Sequence, residues 1–306
     1  MPRANANGIE IEYETFGDND RPALLLVMGL GAQMISWDER FCQLLADEGY
    51  HVIRYDNRDV GRSTWFDHAG GEPDAAGMVQ QAFIARMADP DAPANIDAPY
   101  LLDDLADDAA GLLDALGIAA AHVVGASMGG MIVQALAIRH PERVLSLCSI
   151  MSTTGDPSVG GPTPEAMAAL LERPPADRDG YVEAAVRASR VIGSPGFPFD
   201  EDRVRRRAAT AFDRGYHPAG TARQLVAIVA SPDRTPALRS LDVPALVIHG
   251  ADDPLVQASG GQATARAIPG AELLVIPGMG HDLPQGAWAQ IVEAVVANAA
   301  RAQVRS

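Results

Sequence analysis

The chain has only two cysteines in 306 residues, too few for a disulfide framework. Cys42 falls in a predicted helix and Cys148 in a predicted interior strand, so both are read as free buried thiols. No Cys or His cluster has metal-ligand spacing, and neither a metal nor an organic cofactor is expected. Bases are scarce, with 24 against 40 acids, a net charge of -16 and a pI near 4.7. That balance makes a self-repelling surface and opposes nucleic acid or anionic membrane as partners. The N-terminus lacks an apolar run of signal-peptide length, so a cytoplasmic location is expected. The uncharged stretch from Gly117 to Ile138 approaches membrane-spanning length, but His122, Ser127 and Gln134 suit a strand, a turn and a helix rather than a span.

The composition, 47% hydrophobic and 21% charged, is that of an ordinary globular protein. The most informative stretch runs from Ala121 to Gln134. A short apolar strand ends at Gly125, helical spacing resumes at Met128, and Ser127 lies on the tight turn between them. This is the G-x-S-x-G nucleophile elbow, Gly125-Ala126-Ser127-Met128-Gly129. Such a turn holds the serine in a left-handed backbone conformation, and glycines two residues before and after it leave room for the neighbouring strand and helix.

The elbow sits in an alternation of strands and helices, which predicts a mostly parallel sheet. Ile9, Ile11 and Tyr13 alternate with glutamates as in a half-exposed strand, expected at the sheet edge. Ala23 to Met28 is a continuous apolar run, as in a strand covered on both faces. A helix should follow, with Ser36 and Glu39 as a capping box and Trp37, Phe41, Leu44 and Leu45 on its apolar face. A strand over residues 51–55 leads into a turn in which Asp56 and Arg58 are expected to hold the loop together. Residues 64–98 read as a long excursion over the sheet end, helical only from Met78 to Met87. Beyond it, Leu102, Leu105, Ala109, Leu112 and Leu116 share a helix face, with Asp103, Asp104, Asp107 and Asp108 on the solvated side. Further strands are expected at 144–151, 245–249 and 272–276, with a last helix around Trp288 to Val296. From Ser152 to Leu241 prolines and glycines are dense and every regular segment is helical. The expected organisation is therefore a core of residues 1–151 and 242–306, with residues 152–241 inserted as a helical cap.

A serine hydroxyl becomes a useful nucleophile only when a base takes its proton and a third group orients the base. His249-Gly250-Ala251-Asp252-Asp253-Pro254 follows one late strand, and Gly278-Met279-Gly280-His281 follows the next. Their chain order, acid then histidine, is the order that this elbow requires. Asp252 and Asp253 both qualify as the acid. Of the seven histidines, His281 alone lies past a strand end in a glycine-rich loop downstream of the acid. His249, His122 and His140 read as structural. The oxyanion calls for backbone donors, assigned to Met128, the residue after the nucleophile, and to Leu30 within Gly29-Leu30-Gly31.

Over nearly its whole length the sequence resembles the α/β-hydrolase superfamily. More narrowly it resembles capped serine-triad carboxylesterases, including actinobacterial lipolytic esterases and anthracycline methyl ester hydrolases. The carrying residues are 26–31, 54–63, the elbow, 250–254 and 278–281. The resemblance implies an α/β-hydrolase fold with an inserted helical cap. It also implies that the aspartate preceding the proline, Asp253, is the acid, and it places an oxyanion amide at Leu30. Many superfamily members carry histidine where this chain has Met28, a departure the narrower group shares. The expected activity is hydrolysis of small to medium apolar carboxylic esters through Ser127, His281 and Asp253. Met167, Leu170, Val191, Ile192, Phe197, Phe199, Phe212 and Tyr216 are candidates for the pocket wall. Carbon-carbon bond hydrolysis or thioester hydrolysis by the same triad, and a non-enzymatic ligand-binding role, are the alternatives.

Overall fold

The computed structural model describes residues 1–70, 72–88, 96–173 and 175–303. In chain order the elements are β1 (Arg3–Ala6), β2 (Ile9–Phe16), β3 (Ala23–Val27), α1 (Glu39–Asp47), β4 (His51–Tyr55), α2 (Ala75–Ala88), α3 (Leu102–Ala115), β5 (Ala121–Ala126), α4 (Met128–Arg139) and β6 (Val144–Ile150). Between β6 and β7 the described residues form five helices, α5 (Pro164–Leu171), α6 (Arg178–Ile192), α7 (Glu201–Gly215), α8 (Pro218–Ala230) and α9 (Thr235–Leu238). The chain then returns to β7 (Ala245–Gly250), α10 (Ala258–Ala267), β8 (Glu272–Ile276) and α11 (Trp288–Gln303). The strands form one sheet in the order β1-β2-β4-β3-β5-β6-β7-β8. Pairing is antiparallel from β1 through β4 and parallel from there to β8.

The apolar strand runs are continuous because helices cover both faces of the sheet. Leu25 and Val27 of β3 and Val123 of β5 pack into one core with residues of α3 and α4. Leu24, Leu26 and Val124, one residue out of phase, pack into a second core with residues of α1 and α11. Successive side chains of a strand point to opposite faces, so both halves of each run are buried. Among the described residues, no helix is long and apolar enough to cross a membrane.

Five expectations need correction. The half-exposed strand β2 is not at the edge, because β1 pairs outside it through an Asn7-Gly8 turn with φ of 48° and 79°. Glu12 of β2, expected on the wet face, is buried beside Arg214 of α7. Ser36 does not cap α1. It ends a 3-10 turn, and Asp38 caps the helix by accepting the Arg40 N–H at 3.0 Å, while Leu44 is exposed and Cys42 takes a buried position. Asp108 is not solvated either: Arg58 reaches it with bonds of 2.6 and 2.7 Å, and both side chains are buried. The excursion from residue 64 includes the helix Ala75–Ala88, longer than expected, while its residues 71 and 89–95 lie outside the described ones.

All 24 cationic side chains of the sequence are arginine, and several tie the five-helix segment to the core. Arg214 meets Glu12 and Asp56, and Arg223 pairs with Asp59 through bonds of 2.7 and 2.8 Å. Asp56 also accepts the N–H groups of Met34 and Arg62, which is the loop-holding role expected for it.

His122 has the structural role expected for it. Its Nδ1 lies 2.8 Å from Ser146 Oγ, and burial lowers its pKa from 6.5 to about 4. Above pH 6.5 the ring is neutral in both folded and unfolded chains. As the pH falls from 6.5 towards 4, the unfolded chain binds a proton that the folded one refuses, so stability is lost across that window. Urea unfolding of His122→Gln should therefore show a smaller loss between pH 7 and pH 4.5 than the wild type, by on the order of 2 kcal/mol. Equal losses would contradict this assignment.

Candidate active site

Strand β5 delivers the chain to Ser127 in a conformation few non-glycine residues adopt, with φ 57° and ψ -122°. Four bonds hold it there. The Ser127 N–H donates to Ile150 O at 2.9 Å, and its carbonyl accepts from Gly130 N–H at 2.9 Å, Met131 N–H at 3.3 Å and Ser152 Oγ at 2.8 Å. The flanking glycines are required by close approach. A Cβ on Gly125 would stand 2.0 Å from Gly129 O, and one on Gly129 would stand 2.1 Å from Val27 O. Strand β5 and helix α4 can thus meet at an angle that leaves the hydroxyl at the end of the sheet, facing the loops after β7 and β8.

Those loops bring up the other two groups. His281 Nε2 lies 2.9 Å from Ser127 Oγ, and His281 Nδ1 lies 2.8 Å from Asp253 Oδ2. An ionised carboxylate only accepts, so Nδ1 carries the hydrogen and Nε2 of the neutral ring accepts from the serine. The second oxygen of Asp253 accepts the Leu255 and Val256 N–H groups, each at 2.9 Å. Its side chain is fully buried. Asp252, the competing acid, is exposed and instead accepts the Gly278 N–H at 2.8 Å. His281 is fixed from the backbone too, donating its N–H to Ile192 O at 2.7 Å.

His249 takes the interior position expected for it. It donates from Nε2 to Val256 O at 2.7 Å and stands 3.6 Å from Asp253 Oδ2. Burial lowers its pKa, which favours the neutral ring behind the acid. His140, the third structural histidine, bonds Asp107 at 2.7 Å.

The turn after β3 lies directly against Ser127: a Cβ on Gly29 would meet Ser127 Cβ at 2.9 Å and Oγ at 3.4 Å. Leu30 follows in that turn, and Met128 opens α4, where the first N–H groups have no intrahelical acceptor. Gln224 of α8 orders the same turn by accepting the Gly31 N–H at 2.8 Å and donating to Arg58 O at 2.8 Å. It had no sequence signal, because a partner 193 residues away leaves no local pattern. Ser152, which donates to Ser127 O across 25 residues, likewise carries no local pattern.

Beside this constellation lies a cavity of about 730 Å³, walled by the turn after β3, by α5 to α8 and by residues 72–76. Of the five expected site residues, Leu30 alone lines it, with Leu255 and Ile192 marking where it approaches Asp253 and His281. Leu170, Ile192 and Tyr216 are in the wall as expected, but the other pocket candidates are not. Val191 and Phe199 are exposed, Phe197 packs on the core under α11, Phe212 stacks on Tyr216, and Met167 is not part of the wall. The actual wall is rich in alanine, which no aromatic or large-residue signal marks.

A family model described as the alpha/beta hydrolase fold matches residues 22–284. Rhodomycin D methylesterase DauP of Streptomyces sp. (strain C5) is 32% identical over 314 residues, with 95% of each chain covered. The 2-hydroxy-6-oxononadienedioate/2-hydroxy-6-oxononatrienedioate hydrolase of Burkholderia vietnamiensis is 29% identical, over 92% of this chain and 86% of that one. Among solved structures, the enol-lactonase from Burkholderia xenovorans LB400 superposes with a TM-score of 0.69 at 26% identity, covering 97% of this chain and 99% of the other.

Proposed function

The chain belongs to the α/β-hydrolase family, and from that premise we propose that it is a carboxylic ester hydrolase acting through Ser127, His281 and Asp253. The observation that carries the reading is the unbroken relay of 2.9 and 2.8 Å bonds from Ser127 Oγ through the imidazole to a buried carboxylate. His281 Nε2 takes the serine proton as Oγ attacks the ester carbonyl. The Leu30 and Met128 N–H groups receive the charge that develops on the carbonyl oxygen. The tetrahedral intermediate collapses as His281 returns the proton to the departing alcohol, leaving an acyl-enzyme. A water molecule, deprotonated by the same imidazole, then adds to the acyl carbon, and collapse releases the acid and restores Ser127. Asp253 fixes the tautomer and stabilises the imidazolium.

Residues 152–241 act in this reading as a cap whose inner wall encloses the acyl or alcohol group. Similarity to the methylesterase DauP supports an ester, and a cavity of about 730 Å³ suits a substrate of small to medium size. Similarity to the oxononadienedioate hydrolase favours a second reading, carbon-carbon bond hydrolysis of a diketone by the same residues. Turnover of p-nitrophenyl esters of graded chain length, measured beside a vinylogous diketone, separates the two. The proposal predicts esters far ahead, with a chain-length optimum set by the cavity. Preference for the diketone would overturn it.

A further inference from the structure

The cavity wall contains one cation that no described residue neutralises. Arg207, on α7, lines it together with Tyr181, Ile192, Val204, Ala208 and Ala211. Each described acid on the same wall already has a partner. Glu72 pairs with Arg173 at 2.9 Å, Glu172 with Arg187 at 2.7 Å and Asp59 with Arg223 at 2.7 Å, and Asp74 accepts the Gly77 N–H at 3.0 Å. Among the described residues, none forms an ion pair within 4.0 Å or a hydrogen bond with Arg207. The other described arginines without an acid partner differ in setting. Arg206, Arg239 and Arg266 are exposed, and Arg234 is bonded to Gln134 Oε1 and Thr153 O.

A guanidinium among apolar neighbours, with no counter-ion, is costly to keep charged. Burial lowers its pKa, and Arg203 one turn away acts in the same direction. Arg203 is itself held by Asp38 at 3.2 Å and lies over the Trp288 ring. The more distant carboxylates of Asp282 and Asp38 offset only part of the cost, and Asp282 is engaged by Ser194 Oγ. A carboxylate entering the cavity supplies the missing charge in the geometry a guanidinium fork accepts best, two parallel N–H···O bonds. The site is joined to the reaction centre, since Ile192 both lines the cavity and accepts the His281 N–H.

We infer that Arg207 anchors the anionic end of the substrate, so that the preferred esters carry a free carboxylate beyond an apolar spacer. This rests on the ester-hydrolase reading above and narrows its substrate class from purely apolar esters to ω-carboxylated ones. The test compares monomethyl adipate with methyl hexanoate, in which a methyl group replaces the carboxylate. The ratio of kcat/KM for the anionic over the neutral ester should exceed one in the wild type. It should fall roughly 10- to 100-fold in Arg207→Gln and recover partly in Arg207→Lys. A merely structural role for Arg207 would lower both substrates together and leave the ratio unchanged, which would overturn the inference. Calorimetric titration of monomethyl adipate into Ser127→Ala, with and without Arg207→Gln, separates this from failure of the esterase reading. Binding weakened about tenfold or more by the arginine change supports the anchor even if no ester is turned over. Equal affinities, or no binding to Ser127→Ala itself, refute it. If Arg207→Gln does not fold, Arg207→Lys and the wild-type preference between the two esters decide the matter in the same directions.

Discussion

Ser127→Ala is expected to lower kcat on a good ester by roughly 10⁴- to 10⁶-fold with little change in thermal stability. The substitution removes only Oγ, whose bond is to His281, while the four bonds that hold the elbow involve main-chain atoms of residue 127. The positive φ of 57° is already borne by a residue with a Cβ, so alanine adds no new strain there. His281→Ala should cost about as much, because a serine without its base is a weak nucleophile. The double variant should lose little beyond either single one, since residues that act as one unit do not contribute additively. Additive losses in a kinetic cycle would mean that the two groups act separately.

The next largest effect discriminates between the two adjacent aspartates. In Asp253→Asn the amide oxygen can still accept from Leu255 and Val256, which places the NH₂ group towards His281. The imidazole must then accept at Nδ1 and carry its hydrogen on Nε2, the wrong tautomer for taking the serine proton. A loss of ~10³- to 10⁴-fold in kcat is expected, with the fold intact. Asp252→Asn should stay within about a few-fold of wild type, because an asparagine oxygen can still accept the Gly278 N–H and the residue is exposed. The reverse pattern, with Asp253→Asn active and Asp252→Asn dead, would transfer the acid's role to Asp252.

Much of this arrangement was legible in the sequence because its signals are local. The elbow needs two glycines and a serine at fixed offsets, and the structure places Ser127 on the turn between β5 and α4. The buried strands were legible as apolar runs, such as Ala23–Val27 of β3. The elements read wrongly are those decided by distant partners. Asp108 sits on the polar side of α3 by periodicity, but Arg58, 50 residues earlier, draws it inside. Glu12 alternates as an exposed residue should, and Arg214 buries it from 202 residues away. Strand β1 was overlooked for a different reason: four residues are too few for a periodic signal, although Asn7-Gly8 is a strong hairpin marker. Cavity walls are harder still, since a residue lines a cavity by what does not pack against it. Of the large side chains between β6 and β7, Phe197 packs on the core and Phe212 on Tyr216, while alanines and Arg207 are among the residues that face the space.

Every step of the proposed reaction depends on Ser127 being an activated nucleophile. Intact-mass analysis after incubation with a fluorophosphonate probe tests it most directly, with wild type and Ser127→Ala treated in parallel. A single phosphonyl adduct is expected on the wild type, mapped to the peptide containing Ser127, and no adduct on the variant. A folded wild type that stays unlabelled, or a variant labelled to the same extent, would contradict it.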